Sequence, residues 1–422
     1  MNPVLLHGIQ HGNQPCDILI QNKRFHTIVP TRALDQWQLP DGCRVVESDG
    51  KAILPAFYNG HTHLAMSLLR GYADDMPLST WLNDHIWPIE AKMSVEDMRV
   101  GVQLSLLEMI KTGAVFCNDM YFAWRHCADL VDEMGLRAVV ADSYIDKGDP
   151  AQARHYLDNF KAQQQLNSDR LQFAIAPHAI YTVGGDMLRA CADAAREAGQ
   201  FLHIHLAETR QEVDDCLAQH GMTPTEYVHS LGLLGPKTIV AHAVWLSEHD
   251  MELLKESGTV LVHNPCSNMK LGSGVFPYKE VIDKGLRVVL GTDGSSSNNN
   301  LDMREEMKFA ALLAKVKYGA ETLPAELVLQ WATRNGAEAF GIDAGVIAQG
   351  KLADAVIVKL KTDRMTPCHN LVSNWVYAAD SSVIDAVLCD GRFLMEDGRV
   401  PQEDVIIERA AQCAYRLAKR AK

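Results

Sequence analysis

No Cys-x-x-Cys pair occurs anywhere in the 422 residues, although ten cysteines are scattered from Cys16 to Cys413. Zinc ribbons and disulfide frameworks both need closely spaced cysteines, so these read as reduced, mostly buried small hydrophobes. No uninterrupted apolar run is long enough to span a bilayer. The first residues, Met1-Asn-Pro-Val-Leu-Leu-His7, lack a basic region followed by an apolar stretch and a cleavage site, so a cytoplasmic protein that engages no membrane is expected. A basic stripe is also missing. With a formal charge of -13 and a pI near 5.7, the chain has no means of releasing counterions from a phosphate backbone, and a nucleic-acid partner is not expected. Finally, no Gly-x-Gly-x-x-Gly follows any early strand-like segment, which removes most support for a dinucleotide-binding sheet.

What is present is the mix of an ordinary folded protein: 47% hydrophobic and 22% charged residues, with 29 glycines and 16 prolines. The length suits one large core with an appendage, or two domains. Residues 1–55 hold short β-like pieces such as Asp17-Ile-Leu-Ile20 and Arg44-Val-Val-Glu47, broken by Gly, Asn and Pro. Similar pieces return late, in Asp354-Ala-Val-Ile-Val358 and Ala386-Val-Leu-Cys-Asp-Gly-Arg-Phe-Leu394. One small β-sandwich domain built from both termini is expected, from 1–55 and 346–422, the latter ending in a helix.

Between them, over 56–345, strand-like runs alternate with helical periodicity. Eight runs can be counted, at 52–59, 114–119, 138–145, 171–176, 201–206, 238–244, 259–262 and 287–291. Ser94 with Asp97 three residues on predicts a capped helix start. Gly135, Gly199, Gly258 and Gly285 each stand where a left-handed residue would end a helix before the next strand. Eight β/α units in series predict an α/β fold, a closed (β/α)8 TIM-like barrel, whose chemistry belongs at the C-terminal ends of its strands.

Those ends carry a coherent set of side chains. The first run closes on His61-Thr-His63, where period-two alternation directs both imidazoles to one face. The fifth reads His203-Ile-His205-Leu-Ala-Glu208, the sixth ends at His242, and the eighth ends Gly291-Thr-Asp293-Gly. Three or four histidines with one aspartate suit one divalent ion, zinc or Fe2+, able to acidify a bound water. His203 and His205 share a face, and spacing alone does not choose between them.

The chain resembles the amidohydrolase superfamily, within the metal-dependent deaminase and chlorohydrolase group that includes S-adenosylhomocysteine / 5'-methylthioadenosine deaminases. The resemblance rests on Gly60-His-Thr-His-Leu64, Leu69-Arg-Gly-Tyr-Ala-Asp-Asp75, Trp87-Pro-Ile-Glu90, Asp119-Met-Tyr-Phe122, Ala176-Pro-His178, His205-Leu-Ala-Glu-Thr209, Ala241-His242, His263-Asn-Pro-Cys-Ser-Asn-Met-Lys-Leu271 and Gly291-Thr-Asp-Gly294, in the family's order. It implies His61, His63, His205 and Asp293 as metal ligands, His203 being a packed or supporting histidine. It implies Glu208 as the proton-shuttling carboxylate that also meets the substrate, with His242 and Asp293 orienting the attacking water. It further implies Glu90 as acceptor for ribose hydroxyls, His178 as a nucleoside contact and Trp81 as a pocket wall.

The cofactor implied is one divalent metal, zinc first, with iron or manganese as alternatives. Relatives that bridge two metals carry a lysine at the end of strand four, where this chain has Phe173-Ala-Ile-Ala-Pro-His178. A single-metal site and aromatic deamination are therefore expected. The expected substrate is an aminopurine nucleoside resembling 5'-methylthioadenosine or adenosine. The alternatives are a triazine, pterin, guanine or cytosine type of heterocycle and, remotely, a barrel without catalysis. Asp142 stands where adenosylhomocysteine deaminases place an arginine, and Arg154 aligns loosely with a second one, which counts against a carboxylate-bearing substrate. The partner is a small molecule, and a homo-oligomer is left open.

Overall fold

The computed structural model describes residues 2–145, 150–163 and 168–421. Chain order begins with an antiparallel meander, β1 (Val4–His11), β2 (Gln14–Gln21) and β3 (Arg24–Pro30), and continues with β4 (Arg44–Glu47), which lies parallel to β1, and β5 (Lys51–Pro55). The barrel follows as β6 (Phe57–Thr62), β7 (Ala114–Tyr121), β8 (Arg137–Tyr144), β9 (Leu171–Pro177), β10 (Phe201–Leu206), β11 (Thr238–His242), β12 (Val260–His263) and β13 (Arg287–Leu290). The chain then returns to the first sheet as β14 (Ala355–Lys359), β15 (Ile384–Cys389) and β16 (Arg392–Met395). Strand order in that sheet is β16-β15-β14-β5-β1-β2-β3, with β4 on β1, so both ends of the chain build it. Its inner face packs Leu6, Ile9, Ile18, Phe25, Ile357 and Leu388 into a core of its own.

The eight barrel strands are parallel neighbours in sequence order, as right-handed β/α crossovers require. Thr62 and Asp293 bridge the first and last of them, and the Asp293 N–H donates to the His61 carbonyl at 3.0 Å, closing the ring. The run at 52–59 turns out to be two strands in two sheets. β5 pairs antiparallel with β14, Pro55 opposite Ala355, whereas β6 pairs with β7 inside the barrel, and Ala56 alone separates them. Both halves are largely buried, so an apolar run does not record that the chain has changed sheets.

Local signals act as their chemistry dictates. Ser94 and Asp97 form a reciprocal capping box on the helix Val95–Lys111. Gly135, Gly199, Gly258 and Gly285 are left-handed C-caps. Gly101, midway along Val95–Lys111, allows that helix to lie on the 3-10 turn Leu64–Leu69, because a Cβ there would stand 2.3 Å from the Ala65 carbonyl oxygen. Between the two sheets, the buried Arg137 donates to Asp354 at 2.6 Å and also reaches Asp390, to which Arg170 adds a contact at 3.1 Å. No described helix is long and apolar enough to cross a membrane.

Candidate active site

His61 is the penultimate residue of β6 and His63 the residue just past it, so both rings enter the barrel mouth at 4.7 Å between centroids. Their Nε2 atoms each lie 3.2 Å from Asp293 Oδ1. His205, at the end of β10, places its Nε2 3.3 Å from that of His63. His242 ends β11, and donor atoms of His61, His205, His242 and Asp293 all fall within 4.8 Å of one another. Strands far apart in sequence thus deliver all five side chains to one point.

The opposite edge of each ring is occupied. His63 Nδ1 donates to the Met120 carbonyl at 2.5 Å and His205 Nδ1 to the His178 carbonyl at 2.7 Å. His242 Nδ1 donates to Asn268 Oδ1 at 2.8 Å, and His61 Nδ1 and His203 Nε2 share a hydrogen bond at 2.9 Å. The oxygen acceptors hold a proton on Nδ1 of His63, His205 and His242, so that in the neutral ring Nε2 turns a lone pair to the centre, which is how protein surroundings set a histidine for metal binding. His61 Nε2 is buried without a hydrogen bond, an atom in need of a cation. The residues present fit a divalent metal.

The electrostatics differ from ring to ring. Burial draws His61 down to about 4. It works the same way on His63, but the Asp293 carboxylate and the Met120 carbonyl outweigh it and lift that ring to about 9. Asp293 is held well below the usual carboxylate range, because its two histidine neighbours overcome its burial. Its Oδ2 accepts from the hydroxyls of Ser267 at 2.6 Å and Ser297 at 2.8 Å, fixing the carboxylate's orientation. Ala207, His242, Ala243 and Asp293 all have left-handed φ, between 48° and 74°, although none is glycine. Such backbone persists only where surrounding bonds over-determine it.

Glu208 is buried beside this cluster, its Oε2 3.8 Å from His242 Nε2 and its Oε1 accepting from Ser273 at 3.3 Å. Burial raises its pKa, with His242 opposing, which favours a carboxyl that can both take and return a proton. These groups face a cavity, partly open to solvent, whose lining includes His178, Glu90 and Trp81. Glu90 accepts from the Tyr121 hydroxyl at 2.5 Å, and burial lifts it to about 7. The Trp81 indole donates to the Ala73 carbonyl at 3.1 Å from the start of a π-helical turn, Trp81–Ile86. The His178 ring sits 4.7 Å from that of His205, and burial pulls its pKa down to about 3.

The Asp142 carboxylate accepts the Trp124 N–H at 2.9 Å, and neither it nor the exposed Arg154 is among the described residues that line the cavity. Sequence reasoning also passed over Asn268, Ser267, Ser297 and Asp119, the last accepting from Thr62 at 2.8 Å and from the Leu64 N–H at 2.6 Å beneath His63. Asn268 and Ser267 lie within the stretch from His263 to Leu271, but no spacing rule connects that stretch to His242 or Asp293.

Comparison with known proteins places the chain among enzymes. The Amidohydrolase family profile matches residues 52–394. The chain is 43% identical to a 5'-deoxyadenosine deaminase of Methanothermobacter thermautotrophicus, over 97% of this chain and 96% of that protein. It is 44% identical to 5-methylthioadenosine/S-adenosylhomocysteine deaminase 1 of Archaeoglobus fulgidus, over 88% and 90% respectively. Among solved structures, an adenosine deaminase from Xanthomonas campestris with bound zinc superposes at a TM-score of 0.90 with 31% identity, covering 99% of this chain and 98% of that one.

Proposed function

Because the chain belongs to the amidohydrolase family, we propose that it hydrolytically deaminates an adenosine-like nucleoside, with 5'-deoxyadenosine and 5'-methylthioadenosine as leading substrates. Water adds to the purine carbon bearing the amine, the carbon–nitrogen bond breaks, and ammonia leaves. The observation that carries this reading is one buried carboxylate, Glu208, set between His242 and the cavity that Glu90, His178 and Trp81 line.

His61, His63, His205 and Asp293 would hold the metal, and zinc is our choice, on the donor set and on the zinc in the Xanthomonas campestris relative. When bound, such an ion supplies water acidified toward neutrality. Glu208 takes one proton from the attacking water and passes it to the ring nitrogen, then takes the second from the hydroxyl now bound to the carbon and delivers it to the departing amine. Its raised pKa suits both directions of transfer. His242, its Nδ1 committed to Asn268, presents Nε2 to the attacking oxygen and holds it in line, while Asp293 faces it from the other side. In the same cavity Glu90 accepts the ribose hydroxyls, His178 contacts the nucleoside, and the buried Trp81 excludes solvent.

Ammonia release by the zinc-loaded protein tests this. Across 5'-deoxyadenosine, 5'-methylthioadenosine, adenosine, S-adenosylhomocysteine, guanine, cytosine and an aminotriazine, kcat/KM for the first two is expected to exceed that for the free bases and the triazine by about a hundredfold or more. Faster turnover of a free base or a triazine would refute the nucleoside reading.

A further inference from the structure

We propose that Glu212 is a positioning residue for Glu208, a clamp that fixes the turn from which the proton-shuttling carboxylate projects. The inference rests on the reading of Glu208 as the shuttle. Ala207, directly before Glu208, has φ of 52°. A left-handed residue at this point leaves two successive backbone N–H groups, of Ala207 and Glu208, aimed the same way and away from any strand partner. Glu212 answers both: Oε1 accepts from Ala207 N at 2.9 Å and Oε2 from Glu208 N at 2.8 Å. Its side chain is buried, and both of these bonds go to that turn.

The clamp is itself anchored. Thr209 caps the helix Arg210–His220 by accepting the Glu212 N–H at 3.1 Å, so the carboxylate's starting point is set by the same short segment. On the other side of the turn, the Ala207 carbonyl accepts from Val244 N and Trp245 N, both at 2.9 Å, on the loop that leaves His242. The turn that Glu212 holds is thereby also tied to the loop that follows the histidine the shuttle works beside. It does not line the catalytic cavity but faces an outer groove next to it. Only a carboxylate of this length offers two acceptors to adjacent N–H groups, since a glutamine would turn an NH2 toward one of them.

The test is Glu212→Gln in the zinc-loaded protein, alone and combined with Glu208→Gln. In the parent background kcat is expected to fall by about tenfold to a hundredfold, with KM and bound zinc close to parental values. On the Glu208→Gln background the same change should alter the residual rate by less than about twofold, since Glu212 has nothing left to position. The proposal is overturned by a parental kcat, by loss of zinc or a rise in KM matching the fall in kcat, or by an undiminished effect when Glu208 is already replaced. Should Glu212→Gln fail to fold, Thr209→Ala, which loosens the clamp and keeps the carboxylate, is expected to lower kcat by a smaller factor at constant KM, and an unchanged kcat sinks the idea. If Glu208→Gln alone leaves kcat intact, the shuttle assignment fails, and that failure is separate from the behaviour of Glu212.

Discussion

Glu90 is a carboxylate in surroundings that favour its neutral form. Burial lifts it to about 7, while the Tyr121 hydroxyl and His63 pull the other way without prevailing. As an acceptor for ribose hydroxyls it works best ionised, so its contribution to binding is present above about pH 7 and lost as the pH falls through that value. The KM for a nucleoside is therefore expected to rise below about pH 7, with little change above it. Glu90→Ala should raise KM by roughly ten- to a hundredfold, the worth of a hydrogen bond to a charged group, and abolish the pH dependence of KM. Initial rates between about pH 6 and 8 check both, and a KM that stays flat in the parent protein counts against the assignment. The five side chains of the cluster could be gathered from the sequence because strand ends in a barrel share one rim. The backbone that aims them could not. Left-handed φ at Ala207, His242, Ala243 and Asp293 contradicts local propensity, which reserves that region for glycine, and such exceptions are held by distant bonds.

Among the elements, the helix Val95–Lys111 and the 3-10 turn Leu64–Leu69 meet with no room to spare at Gly101. A methyl group there meets backbone rather than a yielding side chain, so Gly101→Ala is expected to cost about 1–3 kcal/mol. The strain should pass to the turn that begins just after His63, so weaker metal retention should accompany the lower stability. Thermal melts with and without a chelator would show both, and a stable variant that retains metal would rule the coupling out. Element ends were well marked in the sequence: Ser94 with Asp97 and the four glycine caps have local causes, and local causes are written locally. Element membership was not. The run at 52–59 has one hydropathy pattern and two destinations, since burial against either sheet calls for the same apolar residues.

At the scale of the whole molecule, barrel and terminal sheet are joined through Arg137 on β8, which meets Asp354 just before β14 and Asp390 just after β15. Removing the cation alone leaves the buried Asp354 with no salt-bridge partner among the described residues, whereas Asp390 retains Arg170. Arg137→Met is expected to lower stability by about 3–5 kcal/mol, read as a shift of the denaturant midpoint of the zinc-loaded protein. A shift worth less than about 1 kcal/mol would show that the network is dispensable.

The single residue between β5 and β6 also sets a timetable for biosynthesis. Pro55 lies opposite Ala355, so the strand leading into His61 emerges from the ribosome long before its partner exists. At about 5–20 residues per second, that interval lasts roughly 15–60 s. Throughout it β5 presents an open edge, the kind of surface that recruits other chains. A protein arranged in this way is most exposed to misassembly during its own translation, and holding that edge until β14 arrives is a task for which a nascent-chain chaperone is suited.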